Sequence, residues 1–291
     1  MILVTGATGK VGSEVAKQLA ARGQAVRVLA RSPEKARALF SAGVEIARGD
    51  LTDAASLDAA LAGADRLFLL APTDRAQVEM EVNATLAAKR AGVKHVVKLS
   101  VLGADEASPV ILARWHREAE KVLAASGIPF TLLQPTFFMQ NFLGSAGTIQ
   151  AQGAIYAPVH GRTSFVDARD IASVAVAALT EEGHAGKTYG VTGPEAITYG
   201  QAAERISAAI GKPVAYVEVP AEAARIGMIE SGIPDWYADD LIALFGVINA
   251  GWTEEVVDTV RTVARKEPIT FDEFARDHAR VFAGTGELAA V

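Results

Sequence analysis

The chain has 291 residues, half of them hydrophobic, with 26 glycines, 11 prolines and no cysteine. Lys and Arg number 28 against 34 Asp and Glu, a formal charge of −6, which is the wrong sign for gripping nucleic acid by counterion release. This composition excludes bulk disorder, disulfides, thiolate metal sites and cysteine nucleophiles. It suits a reducing cytoplasm, and no basic, apolar leader and no run near the ~18 residues of a membrane span is present.

The first elements set a pattern. Ile2-Leu3-Val4 reads as a strand, Thr5-Gly6-Ala7-Thr8-Gly9-Lys10-Val11-Gly12 as a turn, and Ser13 to Arg22 as a helix with Val15, Ala16, Leu19 and Ala20 at helical spacing. Strand Ala25–Ala30, helix Pro33–Ser41, strand Val44–Ala47 and helix Ala54–Leu61 follow. Then come strand Arg66–Ala71, helix Gln77–Ala91, strand His95–Ser100, helix Ile111–Ser126 and strand Phe130–Gln134. Strands apolar throughout and separated by helices make a parallel sheet covered on both faces. The expected architecture is α/β, a doubly wound Rossmann sheet over residues 1–191.

Beyond Pro135 the rhythm loosens. Gly144 to Gly161 reads as turns with short strands, Asp167 to Leu179 as a helix, Thr188–Val191 and Val214–Val219 as strands. Helices dominate from Thr198 onward. A smaller, mostly helical C-terminal region is expected over 192–291, recruiting part of 136–165, with Gly284–Val291 as a loose tail. Within it, Ile226 to Trp252 is a candidate lid.

Gly6, Gly9 and Gly12 form GxxGxxG between a strand and a helix. Such a turn brings a pyrophosphate close to the backbone, packs helix against strand, and offers free N–H groups at the helix N-terminus. The second strand ends Leu29-Ala30-Arg31-Ser32, with Lys35 just beyond and no carboxylate for a ribose 2′-hydroxyl. Arg31 has the planar fork that suits a 2′-phosphate, so NADPH is expected, with NADH weaker. Asp50 is placed to accept from an adenine amino group with Leu51 on the ring, while Thr52 or Asp53 is free to cap the next helix. Leu70-Ala71-Pro72 and Ser100 end strands that line such a crevice.

With Thr5–Gly9, Arg31, Gly49-Asp50, Leu70-Ala71-Pro72, the stretch His116–Asn141, Thr163–Asp170 and Phe271-Asp272-Glu273-Phe274, the chain resembles the NmrA-like atypical short-chain dehydrogenases/reductases. Within that group it is most similar to bacterial NAD(P)H:quinone oxidoreductases and triphenylmethane reductases. The resemblance implies that Gly6 to Gly12 and Arg31 hold the dinucleotide. It also implies that Leu70–Pro72, Ser100 and Pro135-Thr136-Phe137 flank the nicotinamide, and that a His and a Glu of the site stand at His116 and Glu120.

Ordinary alcohol dehydrogenases of this kind use Tyr-x-x-x-Lys to pass a proton, yet none of Tyr156, Tyr189, Tyr199, Tyr216 and Tyr237 has a lysine four residues on. Electron-poor acceptors such as quinones, cationic dyes or iminium ions take hydride with little acid help, so positioning supplies most of the catalysis. For what acid function remains, His116 is the candidate, with Glu120 at i+4 favouring its imidazolium form. Phe137, Phe138, Met139, Trp236 and Tyr237 are candidate walls of a flat apolar pocket. The other histidines lack ligand spacing, so no metal is expected. The leading reading is therefore an NADPH-dependent reductase of a small-molecule electron acceptor, as monomer or homodimer. A non-catalytic NADP(H) sensor that binds a protein partner is the alternative, ahead of an epimerase or lyase.

Overall fold

In the computed structural model, which describes residues 1–40 and 43–286, the first half of the chain alternates strand and helix without a break. The order is β1 (Ile2–Val4), α1 (Lys10–Ala21), β2 (Val26–Ala30), α2 (Pro33–Leu39), β3 (Val44–Arg48), α3 (Ala54–Leu61), β4 (Arg66–Leu69), α4 (Gln77–Ala91), β5 (His95–Leu99), α5 (Ile111–Ala125) and β6 (Phe130–Pro135). After a 3₁₀ turn come α6 (Ala146–Gln152), β7 (Ala154–Ala157), β8 (Arg162–Thr163), α7 (Ala168–Thr180), β9 (Thr188–Val191), β10 (Ile197–Thr198), α8 (Tyr199–Ile210) and β11 (Ala215–Glu218). The chain continues through α9 (Ala221–Glu230), α10 (Asp235–Asn249), α11 (Thr259–Val263), α12 (Phe271–Asp277) and α13 (Ala279–Phe282).

Seven strands form one parallel sheet in the order β3-β2-β1-β4-β5-β6-β9. Alternate residues of β1 feed opposite faces, which is why Ile2, Leu3 and Val4 are all apolar. Val4, Val15, Leu19, Phe68, Ile171 and Val174 pack on the face covered by α1 and α7. Leu3, Leu57, Leu67, Leu69, Ala84 and Leu123 pack on the other, under α3, α4 and α5. Strand order reverses between β1 and β4, so the crevice at their carboxyl ends is the switch point where such sheets bind ligands.

A third core gathers Met139, Phe142, Ile149, Ile155, Phe165, Tyr199, Ile206, Phe271, Phe274 and Phe282, joining residues 139–165 to the C-terminal helices. β7 pairs with β11 in parallel and β8 with β10 antiparallel. The C-terminal region is not wholly separate. α11 turns back onto α7, and its Val260 is buried in the core of the large sheet. Helix α1 begins three residues earlier than its apolar spacing suggests, at Lys10, with Gly9 as N-cap. Helix α2 stops at Leu39, because Phe40 is already extended. The expected end of that helix at Ser41 and the last five residues of the expected tail lie outside the described residues.

Candidate active site

Gly6 adopts φ +61°, open to glycine at no steric penalty, and its carbonyl accepts from Gly9 N at 3.0 Å. A Cβ on Gly12 would stand 2.2 Å from Gly6 O, so only glycine lets α1 rise this close to the turn. Gly12 is therefore buried beneath the cradle and does not line it. Thr5 Oγ1 accepts from Leu70 N at 2.8 Å and donates to Leu70 O at 2.9 Å, locking the ends of β1 and β4 together. No side chain caps α1 and no acid sits in its first turn, leaving its orphan N–H groups and positive dipole end facing the crevice. These features fit a pyrophosphate.

Gly6, Ala7, Thr8, Gly9, Lys10, Val11, Arg31, Asp50 and Leu51 line one end of a continuous cavity of about 1660 Å³. A small-molecule site usually occupies ~300–1,000 Å³, so this one has room for a dinucleotide and a second molecule. Arg31 is exposed at the rim, where its charge helps hold the Asp50 carboxyl below the usual carboxylate range. The larger cause of that shift is the backbone N–H of Thr52, 2.9 Å from Asp50 Oδ1. Asp53, not Thr52, caps α3. Lys35, exposed on α2, does not line the cavity.

The cavity runs on past Leu70, Ala71, Pro72, Ser100, Pro135, Thr136 and Phe137 into an aromatic chamber. Phe137 and Phe138 line it, as does half-buried Tyr237. Met139 does not, being 1% exposed in the third core. Trp236 also falls outside. Its ring lies 5.4 Å from Trp115 with Arg75 5.6 Å over it, clasping the start of α10 to α5. Phe245, 6.5 Å from Phe137, and Trp252, 65% exposed at the mouth, take their place. Phe245 is on α10, whose periodicity gives no sign of which face meets the cavity, and Trp252 is in the turn just after that helix.

The expected His116–Glu120 pairing does not form. His116 Nδ1 stands 2.9 Å from Lys98 Nζ, and the Gln77 amide nitrogen lies 3.1 Å from its Nε2 and 3.4 Å from its Nδ1. Lys98 and Glu81 are fully buried as an ion pair, Nζ lying 3.0 Å from Oε2 and 3.1 Å from Oε1. Burial first, then the Lys98 charge, hold the imidazole well below the ordinary histidine range, so His116 is neutral and not an imidazolium acid. Burial likewise pushes the Glu81 carboxyl up against the pull of Lys98. Glu120 turns to Ser100 Oγ at 2.6 Å and Gln134 Nε2 at 3.2 Å, 3% exposed and off the cavity wall. His116, Gln77 and Ser100 do line the cavity. Lys98 and Glu81 carry no motif. The available signal is a lysine inside an otherwise apolar strand, which demands a buried partner.

A parallel sheet with a glycine cradle and an uncapped helix at its switch point defines a Rossmann-type dinucleotide-binding protein. More narrowly, the chain belongs to the NmrA-like family, whose model matches residues 1–275. It is 42% identical to an NAD(P)H azoreductase of Xenophilus azovorans over 97% of this chain and 99% of that one. An NADPH-dependent quinone oxidoreductase of Escherichia coli, solved with NADPH, superposes with a TM-score of 0.86 at 31% identity, covering 95% of this chain and 99% of the other. The triphenylmethane reductase of a Citrobacter species, complexed with NADP(H), gives 0.83 at 28% identity over 96% and 99%.

Proposed function

We propose that this protein is an NADPH-dependent reductase of flat, electron-poor conjugated acceptors, of the quinone, azo or cationic-dye kind. The observation that carries the proposal is the continuity of one cavity from the glycine cradle to a chamber walled by Phe137, Phe138, Tyr237 and Phe245. That support agrees with the azo, quinone and triphenylmethane acceptors named for the similar proteins. NADPH, when bound, supplies the hydride.

The chain's own residues bind and orient. The turn from Gly6 to Val11 takes the pyrophosphate on backbone N–H groups, Arg31 takes the 2′-phosphate, and Asp50 and Leu51 hold the adenine. Leu70, Ala71, Pro72, Ser100, Pro135, Thr136 and Phe137 form the walls at the nicotinamide end, where dry apolar contact fixes the ring. Apolar rings opposite then stack the acceptor and exclude water. No tyrosine of this chain has a lysine four residues on, so a proton-demanding ketone is the wrong substrate class.

The test is absorbance-monitored oxidation of NADPH by the purified protein, with a simple quinone, an azo dye and a triphenylmethane dye as separate acceptors. Acceptor-dependent oxidation, faster with NADPH than with NADH, is expected. Tight NADPH binding with no turnover on any acceptor would remove the reductase reading and favour a nucleotide sensor.

A further inference from the structure

Lys98 Nζ has three hydrogen-bond acceptors around it, all inside the protein: a Glu81 carboxylate oxygen at 3.1 Å, Leu99 O at 3.0 Å and His116 Nδ1 at 2.9 Å. An ammonium has three protons and no lone pair, so at the third contact the imidazole must be the acceptor. With its Nδ1 lone pair engaged, a neutral ring carries its single proton on Nε2, the nitrogen beside Gln77 at the cavity wall. The Gln77 atom 3.1 Å from Nε2 and 3.4 Å from Nδ1 is its amide nitrogen. For Gln77 to accept from the Nε2–H, the amide is turned over so that its oxygen takes that position, the orientation that a Lys98 donor at Nδ1 requires.

We infer that Lys98 is a positioning residue that sets His116 as a neutral Nε2–H donor at the cavity wall, its one proton shared between Gln77 and a bound acceptor molecule. The groups packed about the ring are Lys98 from β5, Gln77 and Glu81 from α4, and Glu120 one turn along α5. Glu81 lies 4.0 Å from Nδ1, with Lys98 closer, and Glu120 is occupied by Ser100, Gln134 and Arg117. A neutral imidazole is too weak an acid to protonate the acceptor outright. It stabilises the negative charge that develops on a quinone oxygen, or on the second azo nitrogen, as hydride adds elsewhere in the conjugated system, and the proton follows from water. This role rests on the proposed reductase reading, whereas the tautomer does not.

The test begins with ¹⁵N-histidine-labelled protein free of ligand. Two-bond ¹H–¹⁵N correlation is expected to show the His116 ring, assigned by its loss in His116→Gln, as the neutral Nε2–H tautomer from pH 8 down to pH ~5.5. Lys98→Met is expected to mix the tautomers and bring the ring into titration, since Glu81 then faces it without the lysine. It should lower kcat about tenfold or more and add a pH dependence to kcat, with the NADPH Kd unchanged. Glu81→Gln/Lys98→Met removes the pair together, so no unpartnered buried charge remains to unfold the chain. A wild-type ring protonated on Nδ1, or titrating between pH 6 and 7, overturns the inference whatever the activity. So does an unchanged tautomer with unchanged kcat in a folded variant. Absence of turnover in every form counts against the reductase reading alone, because the spectrum still decides the tautomer.

Discussion

Two histidines of this chain fold into places where a second proton is unwelcome. His95 Nε2 pairs with Thr131 Oγ1 at 3.0 Å, and burial, with smaller contributions from Arg66 and His184, lowers it to about 4. His116 is lowered as well, by burial and then Lys98. Between these folded values and the ordinary ~6.5 of an unfolded histidine, the unfolded chain binds more protons than the native one. Stability is therefore fully present above pH ~6.5 and is lost as pH falls, by at most ~1.4 kcal/mol per pH unit for each histidine. Raised carboxyls such as Asp170 work in the opposite sense, so the clean measurement is a difference. Urea midpoints from pH 8 to pH 5 should fall less steeply for His95→Asn than for the wild type. Equal slopes would show that His95 is not held neutral. The glycine cradle was legible at this scale because GxxGxxG is a local signal, whereas the partner of His116 was not. An i, i+4 spacing puts His116 and Glu120 on one helix face, but each then bonds to what lies opposite it: Lys98 on β5 for one, Ser100 and Gln134 for the other.

Helices α5 and α10 meet where the cavity needs a firm wall. Asp240 of α10 is 3% exposed and its two carboxylate oxygens accept from the backbone N–H groups of Ile111 and Leu112. It thereby caps α5, whose Val110 N-cap offers no side-chain acceptor. Trp236 packed on Trp115 reinforces the join. Helix α9, by contrast, buries none of its residues completely, and its Gly227 and Met228 face the cavity. Asp240→Ala should cost about 1–2 kcal/mol of stability and raise the acceptor KM more than it changes kcat, since it loosens the wall without touching His116. Thermal melts with steady-state kinetics check this, and an unchanged KM would mean that α10 is held in place without the cap. Element boundaries followed local chemistry closely. α3 and α4 run where their periodicity predicted, Asp53 and Gly92 marking a start and an end, while β4 stopped two residues short of Ala71 because its pairing ends at Phe68 with β1 and at Leu69 with β5.

At the scale of the whole molecule, the cavity runs from the carboxyl edge of the large sheet to side chains of the third core such as Phe142 and Tyr199. Lys10 on the cradle reaches Asn141 beside the third core at 3.4 Å. A dinucleotide held in the proposed site binds only the folded state. At a hundred times its Kd it adds about 2.7 kcal/mol, worth several degrees in a chain of this length. NADPH should therefore raise Tm by several degrees, and more than NADH at equal concentration, as the role proposed for Arg31 at a 2′-phosphate requires. Equal shifts would remove Arg31 from cofactor choice.

By itself the sequence determined the alternating elements, the parallel sheet, the cradle at its switch point and the lack of a tyrosine–lysine pair. All of these depend on contacts a few residues apart, or on the period with which apolar side chains recur. Only the tertiary structure decided that His116 is a neutral partner of Lys98, that Glu120 serves Ser100, and that Phe245 and Trp252 line the chamber in place of Met139 and Trp236. Burial and charge pairing are properties of elements brought together from distant parts of the chain, and in a low-dielectric interior desolvation first, then the neighbouring charges, sets the state of a side chain.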